Sequence, residues 1–117
     1  PSATWAQDAG VARAVVVGHS AGGVVAMRFA LDHPERTAGL VLVGTAASRF
    51  DVAPVATELH GRTLVVHGEQ DDTVPLSAVL DWARPQVLPV TVIPGGGHFF
   101  HGQLPLLREL ALRHLRS

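Results

Sequence analysis

Along the chain, apolar residues gather in short runs that stay apolar from one position to the next instead of alternating with polar ones. Ala14 to Val17, Leu40 to Val43 and Leu64 to Val66 are such runs, rich in β-branched residues and each followed closely by a glycine; Val90 to Ile93, between Pro89 and Pro94, is a fourth. Continuous apolar strands of this length fit a parallel sheet covered on both faces. The segments between them have helical character. Ala21 to about Asp32 is apolar almost all round and stops before Pro34, which predicts a buried helix. Leu76 to Ala83 is amphipathic and ends before Pro85, and Pro105 to about Leu115 opens on a first-turn proline with Leu106, Leu107, Leu110 and Leu115 near one face. The longest connection, Thr45 to Arg62, has room for a short helix around Val55 to Leu59 and is too short for a separate lid domain. The alternation predicts an α/β fold with about four parallel strands, helices on both faces, right-handed crossovers and no lid, in a single domain over residues 1–117.

Composition narrows the partners. Of 117 residues, 47% are hydrophobic, enough for one core, and the net charge of −1 comes without a Lys/Arg cluster that would hold nucleic acid or an anionic membrane. Cysteine is absent, which removes disulfides, thiolate catalysis and Cys-type zinc sites and suits a reducing cytoplasm. Pro1 to Trp5 lacks the charged start and apolar run of a secretory signal, and no stretch reaches membrane-spanning length, so a soluble cytoplasmic protein is expected.

The chemistry begins at the end of the first strand. In Val15-Val16-Val17-Gly18-His19-Ser20-Ala21-Gly22-Gly23 an apolar run passes through Gly-x-Ser-x-Gly straight into a helix, the context of a nucleophile elbow. Such a turn strains the serine backbone, and glycines two before and two after are expected to remove colliding side chains. Ser20 would then stand exposed above the strand end, with the Ala21 N–H at a helix N-terminus aimed at a developing oxyanion. The same pentapeptide also fits an ordinary glycine-rich turn with an N-cap serine.

A serine hydroxyl needs a general base, and the base needs an orienting carboxylate. After the third strand comes His67-Gly68-Glu69-Gln70-Asp71-Asp72-Thr73-Val74-Pro75, and after the fourth Pro94-Gly95-Gly96-Gly97-His98-Phe99-Phe100-His101. Each piece alone fits a solvated loop. Together they put Ser, Asp and His, in that chain order, at three strand ends on the edge where open α/β sheets bind ligands.

On these motifs the chain resembles the C-terminal half of an α/β-hydrolase, and the stretch from about Thr63 to Leu115 is similar to small lidless bacterial carboxylesterase-like hydrolases. The resemblance implies a truncated α/β-hydrolase fold and a triad of Ser20, Asp71 and His98; the Gly68-x-x-Asp71-x-x-Val74-Pro75 spacing favours Asp71 over Asp72. It implies hydrolysis of small, short-chain esters through an acyl-enzyme, with Ala21 as an oxyanion donor, His19, Phe99 and Phe100 bordering the substrate pocket, and no cofactor or metal. Acyl transfer through the same intermediate and a catalytically impaired remnant serving in binding or assembly are the other readings.

A metal site from His67, His98 and His101 is the weaker alternative, because no helix fixes their spacing. A halide-displacing relative would need a carboxylate where Ser20 stands. The resemblance maps the chain onto the last four of about eight strands, and two expectations come from this. The half of the fold that precedes them normally brings a second oxyanion donor. The Ala14 to Val17 strand would be a bare apolar edge, so a homodimer or higher oligomer covering it is expected, unless the chain is a fragment of a longer product.

Overall fold

Strands form at all four apolar runs: β1 (Ala14–His19), β2 (Thr37–Val43), β3 (Thr63–Gly68) and β4 (Thr91–Ile93). In the computed structural model, which describes residues 13–116, they pair in parallel in the order β1-β2-β3-β4. The stretch Pro1 to Trp5 lies outside the described residues. β1 and β3 run past their apolar cores to His19 and Gly68 because pairing continues there, His19 opposite Val43 and Gly68 opposite Ile93.

Three helices accompany the strands: α1 (Gly22–Asp32), α2 (Leu76–Ala83) and α3 (Leu104–Arg116). The connection from β2 to β3 holds a 3-10 helical segment at Thr57–Arg62, a little later than the short helix expected around Val55 to Leu59. Ala26, Met27 and Ala30 of α1, Val55 and Leu59 of that connection, and Val79 and Ala83 of α2 pack with Leu40, Leu42 and Val65 on one face of the sheet. With every crossover on one face and of one hand, each new strand is laid beside the last in the same direction, which gives the sequential order.

The opposite face is closed by the chain beyond β4. Val41, Val43, Val66 and Ile93 pack there with Phe100, and Leu107 and Leu110 of α3 lie against them. The continuous apolar run of β2 is thereby explained: Leu40 and Leu42 face one layer and Val41 and Val43 the other. Burying each such side chain contributes about 1.5–3 kcal/mol.

Two helix expectations are corrected. Helix α1 is not buried all round, because it flanks edge strand β1 and packs on one side only; Val25 is 70% exposed, and Val17 on β1 64%. On α3, Leu107 and Leu110 reach the sheet while Leu106 and Leu115 are exposed, since neighbouring helical positions point about 100° apart. No helix among the described residues is long and apolar enough to cross a membrane.

The turn from β1 into α1 separates the roles of its two flanking glycines. A Cβ on Gly18 would lie 2.5 Å from the Gly22 carbonyl oxygen and 2.7 Å from the Gly23 nitrogen, whereas a Cβ on Gly22 would meet nothing within 4 Å. Of the two glycines expected to relieve collisions, only the first does so. Gly18→Ala should therefore lower stability by about 1–3 kcal/mol through overpacking. Gly22→Ala should be neutral or stabilising by up to about 1 kcal/mol; urea denaturation midpoints of the two variants check the contrast.

Candidate active site

Ser20 occupies the left-handed region with φ 56°, a conformation that costs a non-glycine residue about 1–3 kcal/mol. The surrounding structure holds it there. Its N–H donates to the Val43 carbonyl at 2.8 Å, and its own carbonyl accepts from the Gly23 N–H at 3.0 Å. Ala21 comes next, in helical conformation at the start of α1, where first-turn N–H groups lack intrahelical acceptors.

Beyond β3, Asp71 is buried and held from both oxygens. Oδ1 accepts from the Thr73 N–H at 2.9 Å and the Val74 N–H at 2.7 Å, and Oδ2 accepts from His98 Nδ1 at 2.7 Å. Asp72 is exposed, with no hydrogen bond or ion pair among the described residues. Burial is the largest influence on Asp71 and pushes its pKa up. The Val74 N–H, the hydrogen bond and charge of His98, and the Thr73 N–H together outweigh it, so the carboxyl titrates below the usual aspartate range.

His98 reaches Asp71 because the two loops are laced together. The Glu69 N–H donates to the Ile93 carbonyl at 3.0 Å, the Gln70 N–H to the Gly96 carbonyl at 2.9 Å, and the Gly95 N–H to Glu69 Oε1 at 2.9 Å. A Cβ on Gly68 would collide with the Gly96 carbonyl, so glycine is what allows this approach. Because a carboxylate only accepts, His98 carries its proton on Nδ1 when neutral, and Nε2 is left as the proton acceptor.

The structure thus joins Asp71 to His98 and leaves Ser20 without a hydrogen bond to His98 among the described residues. Of the residues expected to border a pocket, His19 and Phe99 do lie beside the His98 ring, with centroids 4.9 Å and 5.0 Å away. Phe100 does not: it is 1% exposed and belongs to the core beneath β2, β3 and β4. Its positive φ of 53° turns the chain so that Phe99 points out and Phe100 in.

Two residues take parts that the sequence pattern did not assign to them. His67, weighed only as a metal ligand, is fully buried and donates from Nε2 to the Val74 carbonyl at 2.7 Å, with Asp71 Oδ2 3.5 Å away. Among the described residues no group of three His, Asp or Glu side chains is arranged to hold a metal. Gly44, with φ +57°, passes so close under His98 that a Cβ would lie 3.2 Å from its ring. The glycine that ends the second apolar run was the visible signal for that position.

The lowered Asp71 pKa sets a pH dependence. Its folded-state value lies below the unfolded one, so the carboxylate's contribution to stability is complete above the unfolded aspartate value, about 3.9, and is lost as pH falls through the lower folded value. Asp71→Asn should remove that component and make the acid limb shallower. Urea unfolding between about pH 7 and about pH 2.5 measures it.

Comparison with known proteins identifies the fold. A family model described as the alpha/beta hydrolase fold matches residues 5–62. An α/β serine hydrolase without a lid from Xanthomonas campestris superimposes with TM-score 0.78 and 28% identity, over 98% of this chain and 52% of that one. An α/β serine hydrolase homologue from Coxiella burnetii gives TM-score 0.79 and 28% identity over 97% of this chain and 55% of that one. A Caulobacter vibrioides protein described as a candidate carbamate hydrolase is 59% identical over 34 residues, 29% of this chain and 13% of that one. The chain therefore spans about half the length of these solved structures. With a serine elbow at the end of β1, an Asp–His pair on later strand ends, a matching family model and a sheet that overlays on α/β serine hydrolases, the chain belongs to the α/β-hydrolase superfamily.

Proposed function

We propose that the chain carries the catalytic residues of a serine hydrolase that cleaves short-chain carboxylic esters through an acyl-enzyme. The observation that carries the reading is the buried 2.7 Å hydrogen bond from His98 Nδ1 to Asp71 Oδ2, on the sheet edge where Ser20 is held at positive φ. Ser20 Oγ attacks the ester carbonyl while His98 Nε2 takes its proton. The imidazolium, stabilised by Asp71, then gives that proton to the departing alkoxide, and water repeats the sequence to release the acid. The Ala21 N–H, at the start of α1, is the oxyanion donor that the elbow supplies. Lacking a partner donor, such a site turns over about 10²–10³ more slowly.

The same reading includes an assembly. Val17 on edge strand β1 is 64% exposed beside the elbow, and an apolar parallel edge favours pairing with a second copy, which would also bring main-chain donors near Ser20. Sedimentation should show self-association that grows with concentration; a monomer at every concentration overturns this part.

The enzymatic part is tested with a fluorophosphonate, read as a mass increment on Ser20, and with p-nitrophenyl acetate and a matching aryl carbamate as substrates. Labelling should be lost in Ser20→Ala, and ester turnover should fall by about 10²-fold or more in Asp71→Asn while Asp72→Asn stays near the parent. No labelling at high reagent favours a non-catalytic binding role, and faster carbamate turnover moves the substrate class. Loss in Asp72→Asn in place of Asp71→Asn would mean that the neighbouring carboxylate is the acid.

A further inference from the structure

Rings and backbone around His98 suggest a part for His19 other than contact with substrate. His19 precedes Ser20 in the chain, and its Nε2 lies 2.9 Å from the carbonyl oxygen of His98, 79 residues away. A carbonyl only accepts, so this contact places the His19 proton on Nε2. The two imidazoles lie with centroids 4.9 Å apart at an interplanar angle of 33°. Phe99 stands edge-on to both, 5.6 Å from His19 and 5.0 Å from His98. Below them Gly44 leaves the space they occupy, since a Cβ there would come within 3.2 Å of His98 and 3.6 Å of His19. Among the described residues no other hydrogen bond joins the turn at 18–23 to the loop at 94–103.

We propose that His19 is a positioning residue that clamps the main chain of His98 to the elbow. The inference rests on the reading of Ser20 as nucleophile and His98 as its base. Asp71 fixes the His98 ring through Nδ1, and the bonds from Glu69, Gln70 and Gly95 hold the loop to the end of β3, but none of them ties it to the elbow. The anchor on the His98 carbonyl makes that connection and fixes the ring relative to Ser20, the neighbour of the anchoring side chain. Displacing a reacting group by about 1 Å can cost about 10²-fold in rate, so the clamp acts on rate. His19 is exposed, and its single neutral hydrogen bond adds little to stability.

Two substitutions separate the donor from the ring. His19→Gln keeps a donor near the position of Nε2 and loses the ring; His19→Phe keeps a ring and loses the donor. Ser20 labelling by fluorophosphonate should stay within about three-fold of the parent in His19→Gln and fall by about ten-fold or more in His19→Phe, with urea midpoints of both near the parent. Unchanged labelling in His19→Phe overturns the clamp, as does a loss confined to His19→Gln, which would assign the effect to ring packing. A third measurement needs no turnover. Imidazole ¹⁵N spectra of the parent at about pH 8.5, two units above the ordinary histidine value, should show His19 held as the Nε2–H tautomer. Rapid averaging between tautomers overturns the clamp even if a variant fails to fold. A parent that does not label Ser20 but shows the fixed tautomer overturns the hydrolase reading, and with it the effect on rate, while supporting the His19 anchor on the His98 carbonyl, so the two failures are distinguishable.

Discussion

The hydrogen bond between His98 Nδ1 and Asp71 Oδ2 is the contact around which the described structure is arranged. At 2.7 Å it joins two loops that leave adjacent parallel strands 27 residues apart, and both side chains are almost wholly removed from solvent. A buried carboxylate is costly unless its lone pairs are taken up, and here the Thr73 and Val74 N–H groups and the imidazole take them. The approach depends on main chain meeting main chain. Gly68 lies against the Gly96 carbonyl, and two backbone hydrogen bonds from Glu69 and Gln70 hold the loops together. The pair is positioned by the backbone of two strand ends and the loops that leave them.

Ser20 is placed by a different means. Its conformation is unfavourable locally and is held by hydrogen bonds to β2 and to the first turn of α1, so the strain is offset by ladder and helix contacts that exist for the sake of the fold. The elbow and the Asp–His pair thus stand at one sheet edge on either side of β2, whose Gly44 passes close to the His98 ring. Among the described residues the one hydrogen bond between them runs from His19 to the His98 carbonyl. The His19, His98 and Phe99 rings pack around it, above the space cleared at Gly44.

The two-layer core explains why the edge is stable enough to carry strain. β2 is buried on both faces and divides its residues between the layers, so the strand that anchors Ser20 N–H through Val43 is also the one most enclosed by apolar neighbours. β1, which bears the elbow, has a strand neighbour on one side only among the described residues, and its Val17 stands in solvent with Val25 of α1. Rigidity therefore reaches the elbow from the β2 side.

From the sequence alone came the strand positions, the bounds of α2 and the strained serine turn, because these depend on short-range rules, apolar runs, proline stops and glycine spacing, while the preference for Asp71 over Asp72 came from the family resemblance. Tertiary structure alone decided which neighbour of a pair faces inward. Phe99 and Phe100 are equivalent by composition, and only the left-handed turn at Phe100 sends one to solvent and the other to the core. Likewise Leu106 and Leu107 differ only in helical phase against the sheet, and Val25 is exposed only because nothing among the described residues packs outside α1. The partners of His19, His67 and Gly44 lie tens of residues away or on a loop whose path the strand register sets, and no local pattern encodes such distances.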